Sequence, residues 1–244
     1  MASNPADPRL GTADWDHWWE ARLAKSGSDF LPYFNAPQVL HSGRSADVVN
    51  RDDALVRVMR EAGLSTVLCA GNGVSQEPRA LAAGGLDVTA LDLSPLASAA
   101  AQRFALDARS VDRFVAPQNL APGGRVRFVV GDLMDASICP GPFDVVIERR
   151  TIQRFPEDER AAALGVLARR LGDRGILVSH CNDDQFPPEW GWAANAPDGL
   201  FHASEAWLRE HGWTLWEGRP DAPLTGRVAW LIRSGSMKRP PART

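Results

Sequence analysis

TVLCAGNGVSQEP, residues 66–78, sets a short apolar run directly before two closely spaced glycines and the start of a helix. A run that continuous suits a strand covered on both faces. Gly71 and Gly73 leave bare backbone that a ligand can approach, and the N–H groups of the following helix point toward it. Ser75 is placed to cap that helix, Pro78 falls inside its opening turn, and Gly84-Gly85 closes it. Taken alone, the loop also reads as a tight strand-to-helix turn that binds nothing.

The same grammar repeats outward from this loop. DVTALD (87–92), RVRFVV (125–130), FDVVIE (143–148) and GILVSH (175–180) are further apolar runs, each too continuous to be half solvated. Ser94 and Pro95 open a helix as cap and first residue. PEDERAAALGVLARRLG (156–172) begins acidic and ends basic, as the helix dipole favours, with Leu164, Leu167, Ala168 and Leu171 facing inward. An irregular stretch (181–201), a helix (203–212) and two strands (213–218 and 227–235) follow, the last pair reading as an antiparallel hairpin. Before the first strand, Trp15, Trp18, Trp19 and Leu23 recur at helical spacing, and Leu55, Val58, Met59 and Ala62 form the stripe of a second helix ended by Gly63.

These elements predict an α/β chain: a Rossmann-like, seven-stranded, mostly parallel sheet with helices on both faces and a C-terminal antiparallel hairpin. The expected division is an N-terminal helical addition over 1–63, one ligand-binding domain over 64–234, and a Pro-rich tail over 235–244. With 244 residues and 44% hydrophobic content, the chain can bury one substantial core. Its net charge of -3 and scattered Lys and Arg offer no basic stripe for nucleic acid. Cys69, Cys139 and Cys181 form no metal-type spacing, and three cysteines cannot all pair within one chain, so a reducing cytoplasm is expected. The opening residues contain no signal-peptide pattern, and no apolar run is long enough to span a membrane.

Three strand ends carry the chemistry. Asp92 lies about twenty residues beyond the glycines, where a carboxylate can accept both hydroxyls of a ribose. Capping is the competing explanation for it, but Ser94 already serves that purpose. Gly131-Asp132 ends the third strand, where a carboxylate can accept from an adenine amino group and a neighbouring N–H can reach a ring nitrogen. Leu133 and Met134 offer apolar cover for the purine, while Asp135 reads as a surface turn. An ordinary turn aspartate is the plain alternative for Asp132.

In this order and at these strand ends, the three stretches resemble the class I S-adenosylmethionine-dependent methyltransferase family over about residues 64–180. The resemblance implies S-adenosyl-L-methionine as cofactor. It assigns Gly71, Asn72 and Gly73 to the methionine part, Asp92 with Leu93 to ribose, and Asp132 with Leu133 to adenine. FDVVIERRTIQRFPEDER matches the family's fourth-strand segment and implies Glu148 and Arg149 beside the transferable methyl group. Two departures stand out: the family's first-strand acid is Cys69 here, and the third glycine of its loop is Ser75. The opening DWDHWW is also similar to thiopurine-type methyltransferases, over that stretch alone.

A nicotinamide-dependent oxidoreductase is the rival reading, since it shares the glycine loop and the second-strand acid. Its sixth loop position is Gly or Ala for close helix packing, and here that position is Gln76. A non-catalytic cofactor-binding protein of the same fold is the third class. For the acceptor, a small molecule is expected, in a cavity built from Trp19, Tyr33, Trp190 and Trp192, with Arg149 and Arg150 available for an acidic group. His180 is the expected base for a hydroxyl or ammonium acceptor. Glu148 with Asn182, Asp183 and Asp184 offers the oxygen ligands magnesium prefers, but the spacing is out of step with catechol-type enzymes, and a metal-free site is expected. The N-terminal part is expected to fold over the cofactor as a lid. Oligomeric state and the atom methylated are not legible.

Overall fold

The computed structural model describes residues 11–26, 54–75, 77–104, 123–149, 151–181, 210, 212–215 and 227–233. In chain order these comprise α1 (Thr12–Ser26), α2 (Ala54–Glu61), β1 (Thr66–Ala70), α3 (Glu77–Ala83), β2 (Asp87–Asp92), α4 (Pro95–Phe104), β3 (Arg125–Val130), β4 (Phe143–Arg149), a 3-10 turn (Ile152–Arg154), α5 (Glu157–Arg170) and β5 (Leu171–Cys181). Strands β1 to β5 form a parallel sheet in the order β3-β2-β1-β4-β5. The fold is α/β and Rossmann-like. Its chain runs outward from β1 to β3 and then returns to lay β4 against the other side of β1. The carboxyl ends of β1 and β4 therefore form the switch point of the sheet, where such folds bind ligands.

Alternation along each strand supplies both layers of the core. On one face Val67, Cys69, Val88, Val145, Ile147, Ile176 and Val178 meet Val56 and Met59 of α2 and Leu81 and Ala82 of α3. On the other, Leu68, Ala70, Leu91, Val146 and Leu177 meet Ala163, Leu164, Leu167 and Ala168 of α5. The helix signals read from sequence operate as expected. The Ser75 hydroxyl accepts from Glu77 N–H at 3.1 Å, and that of Ser94 accepts from Ala97 N–H at 3.0 Å. Gly85 adopts φ +94°, letting Leu86 N–H return to the Leu81 carbonyl and Gly85 N–H to that of Ala82, which closes the last turn of α3.

Three expectations are corrected. β3 is an edge strand, and instead of being covered it exposes Arg125, Arg127 and Val130. Leu171 does not end the helix stripe: it opens β5 by pairing with Phe143, and a register irregularity between Phe143 and Val145 takes up the extra residues before Ile176. Val56, absent from the expected stripe of α2, is fully buried beside Met59, whereas the side chains of Leu55 and Val58 lie outside the described set. No helix among the described residues is long and apolar enough to cross a membrane. Apart from Glu210 and Gly212, the expected helix over 203–212 lies outside the described residues.

Candidate active site

A lateral tie joins each strand to the next at the carboxyl end of the sheet. Gly131 N–H, after β3, donates to the Asp92 carbonyl at 2.9 Å, and Asn72 N–H, after β1, donates to the Leu91 carbonyl at 3.0 Å. Thr151, after β4, donates its hydroxyl to the Ala70 carbonyl at 3.1 Å, with the Gly71 carbonyl 3.4 Å away. Ser179 of β5 donates its hydroxyl to Glu148 of β4. The loops that carry the sequence signals thus form one connected rim.

Asp92 is its centre. One carboxylate oxygen accepts from Gly73 N–H at 2.6 Å and the other from Ser94 N–H at 2.8 Å. Burial pushes this carboxyl above its ordinary value, the Ser94 and Gly73 N–H groups pull it back, and the nearby Asp16 charge raises it further. An ionised carboxylate has about four acceptor positions, two on each oxygen. Among the described residues the two backbone donors occupy one on each oxygen and leave one on each, which suits a pair of adjacent ribose hydroxyls. This is the feature by which the residues present fit S-adenosylmethionine.

The glycine loop is held open by its own geometry. Gly71 and Gly73 take φ +65° and +55°, conformations that disfavour a side chain, and a Cβ on Gly71 would overlap the Thr151 side chain. Asn72 folds back along the loop, its Nδ2 donating to the carbonyls of Gly73 (3.1 Å) and Ser75 (3.3 Å). Its Oδ1 is buried with no hydrogen-bond partner among the described residues, an acceptor that a ligand N–H can satisfy.

Asp132 is exposed, with Oδ1 accepting from Met134 N–H at 2.8 Å in a turn of its own. The Leu133 side chain lies in the core beside Leu91 and Ile152, so only its backbone is available to a ligand, and half-buried Met134 packs against the same cluster. Leu93 is half-buried in the bend after β2. Glu148 is 1% exposed, and one of its oxygens accepts from both Thr151 N–H and Ile152 N–H at 3.1 Å while the other takes the Ser179 hydroxyl. Its carboxylate braces the turn after β4. Arg149 and His180 are register partners on β4 and β5, with side chains outside the described set. Tyr33, Arg150, Asn182, Asp183, Asp184, Trp190 and Trp192 lie wholly outside it, as does Gln76.

The N-terminal helix lies across these loops. Trp19 sits so close to Gly73 that an added Cβ there would come within 2.8 Å of the indole Cζ2. One turn earlier, Asp16 accepts from the Ser94 hydroxyl and from Leu96 N–H (3.1 Å), placing its charge at the positive end of α4. Trp19 and Leu23 pack against Val74, Ala97 and Ala100. Trp15, Trp18 and Trp19 form an edge-to-face series with centroid separations of 5.6 and 4.5 Å. Sequence reasoning singled out Trp19 but missed Asp16, Thr151 and Ser179. Their partners lie 78, 81 and 31 positions away in the chain, beyond the reach of any local pattern.

Comparison with known proteins agrees with this geometry. The methyltransferase domain family matches residues 68–179, from the middle of β1 to within two residues of the end of β5. Residues 68–179 are a methyltransferase domain. Among solved structures, a TehB-like S-adenosylmethionine-dependent methyltransferase from Corynebacterium glutamicum is 18% identical, with 86% of this chain and 98% of that one covered and a TM-score of 0.51. Magnesium protoporphyrin IX methyltransferase from Synechocystis, with the cofactor bound, is 18% identical over 88% of this chain and 96% of that one, with a TM-score of 0.50. Mitomycin 7-O-methyltransferase is 14% identical over 95% and 73%, with a TM-score of 0.51. At these identities the likeness is one of fold. No curated protein matches the chain.

Proposed function

We propose that this chain is an S-adenosylmethionine-dependent methyltransferase acting on a small-molecule acceptor, with α1 closing over the cofactor as a lid. The observation that carries the cofactor half is the Asp92 carboxylate, fixed by Gly73 and Ser94 with one acceptor position open on each oxygen. Gly71, Asn72 and Gly73 hold the methionine part, Asp92 and Leu93 the ribose, and Asp132 with the Leu133 backbone the adenine. When bound, S-adenosylmethionine supplies a methyl group activated by its sulfonium charge. The protein's task is then to place the acceptor atom in line at near-attack distance, which is worth on the order of 7 to 11 kcal/mol in favourable cases.

The lid reading rests on Trp19 against Gly73 and Asp16 on Ser94, since both residues hold the N–H donors of the ribose acid from one helical face. In the acceptor cavity, Trp19, Tyr33, Trp190 and Trp192 supply the walls, and Arg149 and Arg150 bind an acidic group. His180 takes the proton of a hydroxyl or ammonium acceptor. Support for its place comes from the backbone, which pairs His180 with Arg149 at the carboxyl end of the sheet. A small acceptor is also in keeping with the porphyrin and mitomycin named for two proteins of the same fold.

The finer architecture belongs to the same proposal. Trp213–Leu215 (β6) and Arg227–Arg233 (β7) extend the sheet beyond β5 as an antiparallel hairpin, making seven strands; support comes from the pairing of Leu177 with Leu231 and of Trp213 with Arg233. Residues 1–63 form the helical addition, 64–234 the methyltransferase domain and 235–244 a tail, and the enzyme works in the cytoplasm without a metal. A screen of small hydroxyl, amine and thiol acceptors with methyl-labelled S-adenosylmethionine tests the assignment. Labelled small products are expected, with transfer reduced by His180→Ala for hydroxyl or ammonium acceptors. Label appearing only in protein or nucleic acid would overturn the small-molecule reading.

A further inference from the structure

The switch point between β1 and β4 contains a contact with no counterpart at the other strand ends among the described residues. At φ +65°, Gly71 turns the chain so that two successive carbonyls, those of Ala70 and Gly71, converge on the hydroxyl of Thr151. We propose that Thr151 is a positioning residue: it sets these two carbonyls to receive the ammonium group at the amino-acid end of S-adenosylmethionine. The inference rests on the reading of Gly71 to Gly73 as the methionine end of the site.

Three observations lead to it. First, the tip of β1 carries no charge of its own. Cys69 is 3% exposed, and burial, followed by the Glu77 charge, raises its thiol well above the usual value, so it stays neutral and cannot attract a cation. The acceptors at that tip are peptide carbonyls, joined by the Asn72 Oδ1 further along the loop. Second, the position of Thr151 is imposed from outside the loop. Its N–H and that of Ile152 are held at 3.1 Å by Glu148, whose other oxygen is fixed by Ser179 on the neighbouring strand. A chain of bonds thus runs from β5 through β4 to the bend after β1. Third, the contact is tight: any Cβ at Gly71 would collide with Thr151, so the hydroxyl and the bend fix one another.

One hydroxyl proton cannot saturate two carbonyls, and that of Gly71 lies beyond β1 and its ladder pairing. The remaining capacity points to a donor with several N–H groups, such as an ammonium. Loss of the hydroxyl leaves the carbonyls in place but removes what aims them.

Calorimetric titration separates the two ends of the ligand. S-Adenosylhomocysteine carries the amino-acid tail, whereas 5′-methylthioadenosine keeps the adenosine and sulfur without it. Thr151→Val is expected to weaken S-adenosylhomocysteine about three- to tenfold, the range of one net hydrogen bond, and to leave methylthioadenosine within about twofold. Thr151→Ser should restore the first, and Thr151→Ala, which lacks the steric demand of valine, should show the same split. Unchanged binding of both ligands by Thr151→Val, or equal weakening of both, would overturn the proposal; equal weakening would mark a purely structural role. If the wild-type protein bound neither ligand, the reading of the cofactor site beneath the inference would fall instead.

Discussion

Asp92 and Asp144 stand at opposite ends of the same parallel sheet and have opposite characters. At the amino end, one oxygen of Asp144 receives the N–H and hydroxyl of both Ser65 and Thr66, at 2.8 to 3.2 Å. Burial alone would raise that carboxyl, but these four donors outweigh it and hold it below the ordinary value. At the carboxyl end, Asp92 has two backbone donors, and burial wins: its carboxyl is raised. A carboxylate crowded by donors from its own chain is a brace between strands. One kept short of donors, at a rim built from four loops, has capacity left for a ligand.

Substitution at each aspartate should break this contrast in a different way. The largest effect is expected at the ligand end. Asp92→Ala removes two charge-assisted acceptors for ribose, each worth about 1.5–3 kcal/mol, so S-adenosylhomocysteine should bind at least about a hundredfold more weakly by calorimetry. Asp144→Ala should leave that affinity unchanged but cost about 2 kcal/mol of stability in urea unfolding. Because the Asp144 carboxyl is held below its unfolded value, its stabilisation is complete above the ordinary carboxylate range and is lost as pH falls through the lowered value. Asp144→Asn should therefore flatten the acid side of the stability profile.

Much of this arrangement was legible in the sequence because it is local. β2 and β3 coincide with the apolar runs DVTALD and RVRFVV, and Ser75, Ser94, Pro95 and Gly85 act within a few residues of their partners. Asp92 was legible for the same reason, through its spacing from the glycines. Features that depend on neighbours distant in the chain were not. RVRFVV has the apolar character of a covered strand, and only the strand order makes it an edge. Glu148 reads as a site acid, and that its carboxylate braces two peptide N–H groups and takes the Ser179 hydroxyl depends on a strand met only in the fold. The docking of Asp16 on Ser94 and of Trp19 on Gly73 follows from where α1 comes to rest, which no periodicity encodes.

Two smaller predictions sharpen the contrast at the ligand end. Trp19→Ala removes the ring lying over Gly73 and should speed release of S-adenosylhomocysteine about tenfold in stopped-flow measurements, with little change in association. Asp16→Asn gives the smallest effect. In the proposed site ribose binding needs Asp92 ionised, so affinity should fall on acidification at a higher pH than for an ordinary aspartate. Burial is the main cause of that shift, and the Asp16 charge adds to it. Neutralising residue 16 should accordingly move the acid limb of the binding profile to lower pH, with the affinity at neutral pH nearly unaltered.

A crystal structure of the enzyme with S-adenosylhomocysteine tests the assignment of the rim most directly. The two ribose hydroxyls are expected on the two oxygens of Asp92, with Gly73 and Ser94 still donating to them and the adenine beside Asp132 and Leu133. An adenosine seated elsewhere, or one whose ribose leaves Asp92 bound only to its own backbone, would contradict the account.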